Sequence, residues 1–388
     1  MTRPDVSILG FDLRASGVVR NALRIAGAAA AAGLTTELWT VTGNGPLLAE
    51  VPSGVVLRSA DLGGGNLGRT LDLTRAIPQL AAYLKQTRPR IALSSGNHMH
   101  VAASLAYRLA GRPADVKLWA RASNATLKHP IGAALGQDLP GPVGSAIDAV
   151  TRLQYRDFAR VIAVCHELGG HLVQELGLSP HNVSVIPNGV SLAKIREAAD
   201  QPLDHAWMQE GAHPVILAAG RFSRQKNFAD LIRTLAVVRR DSPARLVILG
   251  DGSPDRRGAL ERQAAKLGLA DAVLLPGFDA NPWRWMRHAA LLAVSSRWEG
   301  SSNVVLEALA CGTPVVAYRC PTGIAEVVEP LGPGLVVEPG DVAGLAAAIV
   351  RRLREPRDSA ALQSHVEQFD LTRTLDAYVR LFIRTLKV

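Results

Sequence analysis

The chain has 388 residues, of which 48% are hydrophobic and 20% charged, and its formal net charge is +9. This composition excludes a disordered or low-complexity protein, and the length suits two domains of ordinary size. Residues 1–190 hold 18 Lys and Arg against 12 Asp and Glu, and the remainder holds 25 against 22. The surplus indicates a phosphorylated partner or an anionic membrane surface. Nucleic acid is not expected, because no nucleic-acid-binding motif accompanies the charge.

The beginning of the chain and its cysteines suggest a soluble, cytoplasmic protein. Met1–Pro4 leads directly into the strand-like segment Val6–Leu9, without the apolar stretch of a signal peptide. The longest apolar run, Ile25–Leu34, is too short to cross a membrane. Three cysteines lack the paired spacing of a zinc site or a disulfide framework and are predicted to be buried thiols: Cys165, Cys311 and Cys320.

The first half alternates strand-like and helical segments, which predicts βαβ units and a parallel sheet. The predicted strands are Val6–Gly10, Glu37–Thr42, Val55–Arg58, Ile91–Ser95, Val116–Ala120, Arg160–Val164 and Val183–Ile186. The predicted helices are Ser16–Gly33, Leu71–Lys85 and His98–Leu109. A Pro-Asn-Gly turn at 187–189 and the polar stretch after it predict that a first domain comprises residues 1–190.

A second α/β series follows and predicts a second Rossmann-like domain at residues 191–371. Its predicted strands are Val215–Ala219, Arg245–Leu249, Val273–Leu275, Leu291–Ser295 and Pro314–Ala317, and its predicted helices are Phe228–Arg240, Arg257–Leu267, Asn303–Ala310 and Val342–Leu353. A last helix, within residues 372–388, is predicted to pack back on the first domain. Two such domains in tandem predict a ligand-binding cleft between them.

Two cations follow the first strand of the second domain. That strand ends at Gly220, so Arg221 and Lys226 both project from the loop or helix start beyond it. Two fixed cations close together suit a diphosphate better than a single carboxylate. Solvated surface charge is the competing interpretation.

Two carboxylates flank a Gly-Ser-Ser-Asn turn that enters a helix. Glu299 precedes the turn at 300–303, and Glu307 lies about one turn inside the helix. The free N–H groups at such a helix start form a natural phosphate site, and Glu307 is placed to accept hydrogen bonds from ribose hydroxyls. The alternative is that both carboxylates only stabilise the helix start, which suits Glu299 poorly because it precedes the turn.

These segments resemble, in order, the retaining glycosyltransferases of family four, which have the GT-B fold. The resemblance runs from about Val183 to Pro339, and VIPNGV is similar to that family's domain junction. It is carried by GRFSRQKNF, LVILGDGSPDRRGALE, VLLPGF, SSRWEGSSNVVLEALACGTPVVA and CPTGIAEVVE. It implies an α/β GT-B architecture, with two Rossmann-like domains whose parallel sheets face each other across a cleft. The Asp-x-Asp motif of metal-dependent sugar transferases does not occur in the sequence.

The resemblance also implies roles for individual residues. Arg221 and Lys226 would hold the donor diphosphate and stabilise the departing nucleotide, and Glu299 would contact the donor sugar near its reacting carbon. The turn after Glu299 would bind phosphate and sugar, Glu307 the ribose, and the residues around position 277 the base. The further substrate contacts implied in the second domain are Gly220, Gly277, Phe278, Gly300, Ser301, Ser302, Asn303 and Glu307.

The resemblance is weaker before residue 183. The family usually carries a pair of glycines in its first loop, and this chain keeps one of them, Gly17. It is predicted to allow close approach of the donor phosphate. His98, or His100 two residues later, is predicted to face the acceptor, because the segment is similar to the His-Met segment of polysaccharide-building members; a structural helix-start histidine is the alternative. Arg121 and Asn124 stand where many members place a histidine near the donor sugar, and they are the candidates for that loop.

A literal G-x-G-x-x-G at residues 63–68 is interpreted as a loop rather than a dinucleotide site. It does not directly follow a strand, and the acidic residue that such a site needs is missing.

Together these features predict a metal-independent, retaining glycosyltransferase that uses a nucleotide-diphosphate sugar, with UDP as the preferred base, and no other cofactor. The expected sugar is a hexose or an N-acetylhexosamine, and the expected acceptor is a glycan or a lipid-linked glycan in surface polysaccharide or glycolipid synthesis. Peripheral contact with the inner face of the membrane is a further expectation. Two alternatives stay open: a UDP-sugar 2-epimerase of the same architecture, and a non-catalytic nucleotide-sugar-binding protein.

Overall fold

The chain divides into two compact units in a computed structural model that describes residues 3–62, 69–123, 151–209 and 211–387. The first unit comprises Met1–Pro187 and Arg373–Val388, and the second comprises Asn188–Thr372. The division thus lies just before the boundary expected after residue 190. The glycine-rich segment 63–68 and Asn124 lie outside the described residues.

The first unit is built on a parallel sheet with helices on both faces. Its strands are β1 (Val6–Gly10), β2 (Thr36–Thr40), β3 (Val55–Ser59), β4 (Ile91–Ser95), β5 (Lys117–Ala122), β6 (Arg160–Ala163) and β7 (Val183–Val185). They pair in the order β3-β2-β1-β4-β5-β6-β7. The helices before the second unit include α1 (Gly17–Ala31), α2 (Arg69–Thr87), α3 (Asn97–Leu109) and α4 (His166–Gln174), and residues 151–155 are also helical.

Because helices cover both faces of the sheet, its central strands are buried along almost their whole length. Every residue of β4 is buried, as is expected of a strand packed on both faces. One face of the sheet packs against α2, α3 and α4 through side chains such as Leu80, Met99 and Leu172. The other face packs against α1, through side chains such as Leu23.

The second unit repeats this architecture with six parallel strands. They are β8 (Val215–Ala219), β9 (Arg245–Leu249), β10 (Val273–Gly277), β11 (Leu291–Val294), β12 (Val315–Tyr318) and β13 (Val336–Val337), in the order β10-β9-β8-β11-β12-β13. Its helices are α5 (Leu192–Ala199), α6 (Phe228–Val238), α7 (Pro254–Lys266), α8 (Pro282–His288), α9 (Asn303–Ala310), α10 (Ile324–Val328), α11 (Val342–Arg354) and α12 (Ser359–Val366). The sequence predicted only a polar stretch after residue 190, but helix α5 lies there. Its buried Leu192 and Ile195 supply a narrow apolar face that packs the helix onto the unit.

Each sheet contains a point at which the strand order reverses. In the first unit, β1 and β4 are neighbours, and the chain winds outward from them in both directions. In the second unit, β8 and β11 have the same relation. Ligands of open α/β sheets bind beyond the carboxyl ends of the strands at such switch points.

The three cysteines are buried and form no disulfide with one another, as predicted. Burial raises the pKa of the Cys311 thiol to about 12, so this thiol is protonated at neutral pH and unreactive. In the part of the chain that the structure describes, none of the helices has both the length and the apolar character required to cross a membrane.

The last helix, α13 (Leu371–Leu386), contributes to the core of the first unit. Its buried residues Tyr378 and Phe382 are four positions apart and therefore lie on one helix face. The Phe382 ring packs against Trp119, with 5.7 Å between ring centroids. Arg121 Nε of β5 donates a hydrogen bond to Tyr378 Oη at 3.1 Å. Helix α13 is thus held by both packing and polar contact.

We expect Phe382→Ala to destabilise the first unit by about 3–5 kcal/mol, because it leaves a cavity beside Trp119. Urea unfolding, followed by hydrogen exchange of the amides in β5 and α13, measures this loss. Arg380→Ala, on the exposed side of the same helix, should change stability by no more than a few tenths of a kcal/mol. Equal effects of the two substitutions would show that α13 does not support this core.

Candidate functional site

The cation and carboxylate predicted for the second unit meet at its switch point. Lys226 lies in the loop after β8, and Glu299 lies in the loop after the neighbouring strand β11. Lys226 Nζ donates to Glu299 Oε1 at 2.7 Å. Ser296 Oγ donates to the same oxygen, also at 2.7 Å. Two residues that the sequence separates widely thus form one ion pair with a fixed carboxylate.

Backbone and side-chain hydrogen bonds join the two loops that carry this pair. Gln225 Nε2 donates to the Trp298 carbonyl at 2.9 Å, and the Arg297 amide donates to the Gln225 carbonyl at 2.8 Å. Ser295 Oγ donates to the Lys226 carbonyl at 2.9 Å. The positions of the cation and the carboxylate are therefore set before a ligand arrives, which is the arrangement that electrostatic stabilisation requires.

The pair is shielded from water but reachable. The Lys226 side chain is 18% exposed and that of Glu299 is 10% exposed. An ammonium group carries three N–H donors, so Lys226 can bind Glu299 and an anionic ligand together. Arg221 is exposed just beyond the end of β8, where it adds a second positive charge to the same sheet edge.

The turn after Glu299 presents a helix start with an unsatisfied hydroxyl. Ser302 is the N-cap residue of α9, and its buried Oγ has no hydrogen-bond partner among the described residues. Asn303 Oδ1 accepts a hydrogen bond from Asn188 Nδ2 at 3.0 Å. Glu307 lies inside α9 and is partly exposed. The first amides of a helix lack intrahelical acceptors, so this start provides N–H donors and a hydroxyl for an anion.

Close backbone contacts shape the edge of the sheet around the pair. A Cβ atom on Gly250 would lie 2.0 Å from the Gly220 carbonyl oxygen, and one on Gly323 would lie 2.6 Å from the Gly300 carbonyl oxygen. Both residues have φ in the left-handed region, +133° and +82°, which favours glycine. The backbone beyond β9 therefore packs directly on the backbone beyond β8. The backbone at Gly323 packs in the same way on the turn after Glu299.

The base-binding residues predicted beyond β10 are also at this edge. Gly277 ends β10, and its carbonyl accepts the Gly250 amide at 2.8 Å. The next side chain, Phe278, is 79% exposed. An aromatic side chain so exposed at a strand end is available to a planar ligand.

Three residues that support Glu299 and its turn were not predicted from the sequence. Ser296 binds the carboxylate, Asn188 binds Asn303, and the Thr322 hydroxyl donates to the Glu299 carbonyl. The sequence held a signal for two of them. Ser296 belongs to a Ser-Ser pair that directly follows a strand, and Thr322 belongs to a Pro-Thr-Gly turn within a segment that carries the family resemblance. The Pro-Asn-Gly turn suggested only a domain boundary.

In the first unit, Gly17 and His98 lie at the other switch point. Gly17 starts α1 after β1, it is exposed, and nothing lies within 4 Å of a Cβ atom built on it. His98 is exposed in the first turn of α3, after β4. A Cβ atom on Gly96 would lie 3.3 Å from Val18 Cγ1, so the two helix starts are adjacent. The structure thus brings Gly17 and His98 to one edge of this sheet.

His100 and Arg121, by contrast, are buried. His100 is fully buried against Phe158, its Nδ1 lies 2.7 Å from Ser94 Oγ, and burial lowers its pKa to about 3. It is a neutral core residue, which leaves His98 as the accessible histidine of the segment. Arg121 is 2% exposed and binds Tyr378, a placement that explains how it anchors α13. Its contact with substrate stays a prediction.

Comparisons with known proteins agree with this architecture. Residues 213–355 match a family model described as glycosyl transferases group 1, and residues 16–189 match a glycosyl transferase 4-like domain. The chain is 31% identical over 244 residues to the lipopolysaccharide core biosynthesis glycosyltransferase LpsE of Rhizobium meliloti, covering 60% of this chain and 67% of the relative.

A second relative illustrates how partial some matches are. The chain is 36% identical over 168 residues to the N-acetylgalactosamine-N,N'-diacetylbacillosaminyl-diphospho-undecaprenol 4-alpha-N-acetylgalactosaminyltransferase of Campylobacter jejuni, covering 43% of each protein. It also matches 37% of the length of an uncharacterized glycosyltransferase, MJ1059, of Methanocaldococcus jannaschii. The chain thus spans about two fifths of the length of these two curated relatives.

Solved structures match almost the whole chain. A sucrose-phosphate synthase of Thermosynechococcus elongatus superposes with a TM-score of 0.75 at 20% identity, covering 98% of this chain and 99% of that one. Anabaena Alr3699/HepE, in complex with UDP and glucose, superposes with a TM-score of 0.73 at 21% identity and the same coverage. Identities this low establish the fold alone, and with the two parallel sheets they confirm the predicted GT-B class.

Proposed function

Because the chain belongs to the group 1 glycosyltransferases, with a family-four type of first domain and the GT-B fold, we propose that it transfers a sugar from a nucleotide-diphosphate donor to a glycan or lipid-linked acceptor. The observation that carries this proposal is the 2.7 Å contact between Lys226 Nζ and Glu299 Oε1 at a switch point. Sugar transfer develops negative charge on the diphosphate and positive charge on the sugar. A cation and a carboxylate side by side stabilise both.

The donor is a UDP-sugar in this proposal, with a hexose or an N-acetylhexosamine as the transferred group. Arg221, Lys226 and the amides of the turn 300–303 bind the diphosphate, Glu307 binds the ribose, and the edge at Phe278 receives the base. The unsatisfied Ser302 hydroxyl supports a polar ligand at this helix start, since a buried hydroxyl without a partner is costly. The solved Anabaena protein, of the same fold, is in complex with UDP.

Transfer proceeds with retention and without a resident metal in this proposal. The bond from the sugar to the diphosphate breaks with its electron pair on the phosphate oxygen, where Lys226 and Arg221 oppose the new charge. The acceptor hydroxyl oxygen forms the new bond to the same sugar carbon and gives its proton to the departing phosphate. Both hydrogen bonds to Glu299 bind its Oε1, which fixes the direction of the carboxylate toward the sugar site. Retention is supported by the resemblance to family four, and metal independence by the cations and helix amides that supply the positive charge.

The acceptor belongs to surface polysaccharide or glycolipid assembly in this proposal. The names of two relatives, a lipopolysaccharide core enzyme and a transferase acting on an undecaprenol-diphosphate glycan, support a glycan or lipid-linked acceptor. We assign it to the strand ends of the first unit at Gly17 and His98. Reaction on the cytoplasmic side, with peripheral membrane contact, is part of the same proposal.

A panel of nucleotide sugars tests the donor assignment. A UDP-sugar at a hundred times its Kd should stabilise the protein by about 2.7 kcal/mol and raise its melting temperature, whereas ADP- and GDP-sugars should not. Transfer should continue in the presence of EDTA, and NMR of the product should show a retained anomeric configuration. Isomerised UDP-sugar formed without an acceptor would instead indicate the epimerase. Binding without turnover across a broad acceptor panel would indicate a non-catalytic protein.

A further inference from the structure

Helix α3 of the first unit has an apolar outward face. Its exposed positions are His98, Val101, Leu105 and Leu109, which follow one another at helical spacing. The three aliphatic side chains are 45%, 44% and 62% exposed. A surface helix normally turns polar residues outward and buries its aliphatic ones. After Met99 and His100, the buried face of α3 is made of small residues such as Ala102, Ala103 and Ala106, and the aliphatic side chains of Val101, Leu105 and Leu109 are exposed.

A fourth exposed aliphatic side chain continues this surface. Leu153, in the helical residues 151–155, is 48% exposed. Arg108 of α3 joins the two elements, since its Nη2 donates to the Leu153 carbonyl at 2.7 Å and its Nε donates to Asp157 Oδ2 at 2.5 Å. We call the exposed side chains of Val101, Leu105, Leu109 and Leu153 the α3 surface.

Among the described residues, the charges around the α3 surface are mostly positive. Exposed cations lie on α2, just after α3 and within residues 152–156: Arg75, Lys85, Arg112, Arg152 and Arg156. The acidic residue of α2 is Asp72, which is buried, and the Asp157 side chain is 5% exposed and bound to Arg108 and Arg112. Asp115 is exposed and is paired with Arg3 and Arg88. An aliphatic stripe that, among the described residues, is bordered by more exposed cations than carboxylates is complementary to anionic lipid headgroups over a hydrocarbon layer.

We propose that the α3 surface docks the chain on a bilayer containing anionic lipids, with Leu105 and Leu109 inserted at the level of the headgroups. The stripe runs about 17 Å along α3 and starts at His98, the residue assigned above to the acceptor. A lipid-linked glycan held at that membrane would meet the strand-end site of this unit. The inference rests on the proposed function for its purpose, whereas lipid binding itself is measurable without donor or acceptor.

Charge decides between a lipid and a protein occupant. An interface with a second copy of the chain would bring the same cations face to face around its symmetry axis, and like charges in such positions repel. Anionic lipids remove that repulsion, and each cation near the membrane surface raises the affinity for the membrane roughly fivefold. The α3 surface therefore fits a membrane better than it fits itself.

Sedimentation with vesicles tests the proposal on the full chain at low salt. The wild-type protein should sediment with vesicles containing phosphatidylglycerol and less with vesicles of phosphatidylcholine alone. L105Q/L109Q should lower the partition coefficient roughly tenfold or more, because the apolar insertion is lost. Arg152→Glu should lower it about fivefold or more. Leu48→Gln, at a leucine of the same unit that is 46% exposed, and Arg380→Glu on α13 should leave binding unchanged.

Two results would overturn the inference. One is unchanged sedimentation of L105Q/L109Q, with hydrogen exchange showing that the variant is folded. The other is a wild-type dimer in solution that L105Q/L109Q converts to monomer, which would assign the α3 surface to a second copy. Transfer to a water-soluble acceptor should be unaffected in L105Q/L109Q, so loss of vesicle binding and failure of the glycosyltransferase assignment can be told apart.

Discussion

Lys226→Ala is expected to lower the rate of sugar transfer by about 10²- to 10³-fold, the usual loss when one preorganised group facing transition-state charge is removed. The substitution takes away the cation assigned to the departing diphosphate and leaves Glu299 without its ion-pair partner. Donor titration separates the two effects, because a group that acts mainly in the transition state lowers kcat more than it raises KM. Arg224→Ala, in the same loop but exposed, is the matched control and should retain nearly full activity.

The partner substitution makes the prediction sharper. Glu299→Gln keeps the shape of the side chain but removes its charge, and we expect a loss of similar size to that of Lys226→Ala. If both residues serve one reaction centre, the double variant should lose far less than the product of the single losses. Full activity of both single variants, or strictly multiplicative losses, would contradict the shared site. Thermal melts must accompany the assays, since breaking a shielded pair also destabilises.

Gly250→Ala is expected to destabilise the second unit by several kcal/mol. The new Cβ atom would lie 2.0 Å from the Gly220 carbonyl oxygen, and a backbone atom at a sheet edge can move away only by separating β8 from β9. The positive φ of residue 250 adds strain for any L side chain. Urea unfolding measures the loss, and the donor-induced shift in melting temperature should disappear with it.

Gly268→Ala is the control for the backbone strain alone. Gly268 also has a positive φ, +68°, but nothing lies within 4 Å of a Cβ atom at that position. Alanine there should cost only about 1–2 kcal/mol. If Gly250→Ala cost no more than Gly268→Ala, the close approach of the β8 and β9 strand ends would be wrong.

Much of the fold followed from local pattern. The strands Val6–Gly10, Ile91–Ser95, Val215–Ala219 and Arg245–Leu249 and the helix Asn303–Ala310 have the predicted bounds. These segments have a mostly apolar run bounded by polar residues or turns, so their ends are marked in the sequence. Short elements with little apolar surface were missed, among them α8 and α12, because one or two buried residues leave no visible period.

The site was predictable only in part, because local sequence does not show which strands are neighbours in a sheet. Arg221, Lys226 and Glu299 stood out as charges beyond strand ends, and the sheet order then brings the last two together. The direct Lys226–Glu299 contact had no sequence signal, since it depends on β8 and β11 being neighbours. Arg121 shows another limit: the sequence suggested a loop after the strand, whereas the residue lies within β5 and its Nε binds Tyr378. That core residue lies far along the chain.

Because most of α13 belongs to the first unit, that unit is discontinuous in sequence. During synthesis on a ribosome, the nascent chain exposes every strand of both sheets before Tyr378 and Phe382 emerge. The second unit can then fold from a contiguous stretch while the first still lacks part of its core. We therefore expect the earlier-made unit to reach its final stability last, and nascent chains ending before Arg373 to expose an unfilled apolar surface to chaperones.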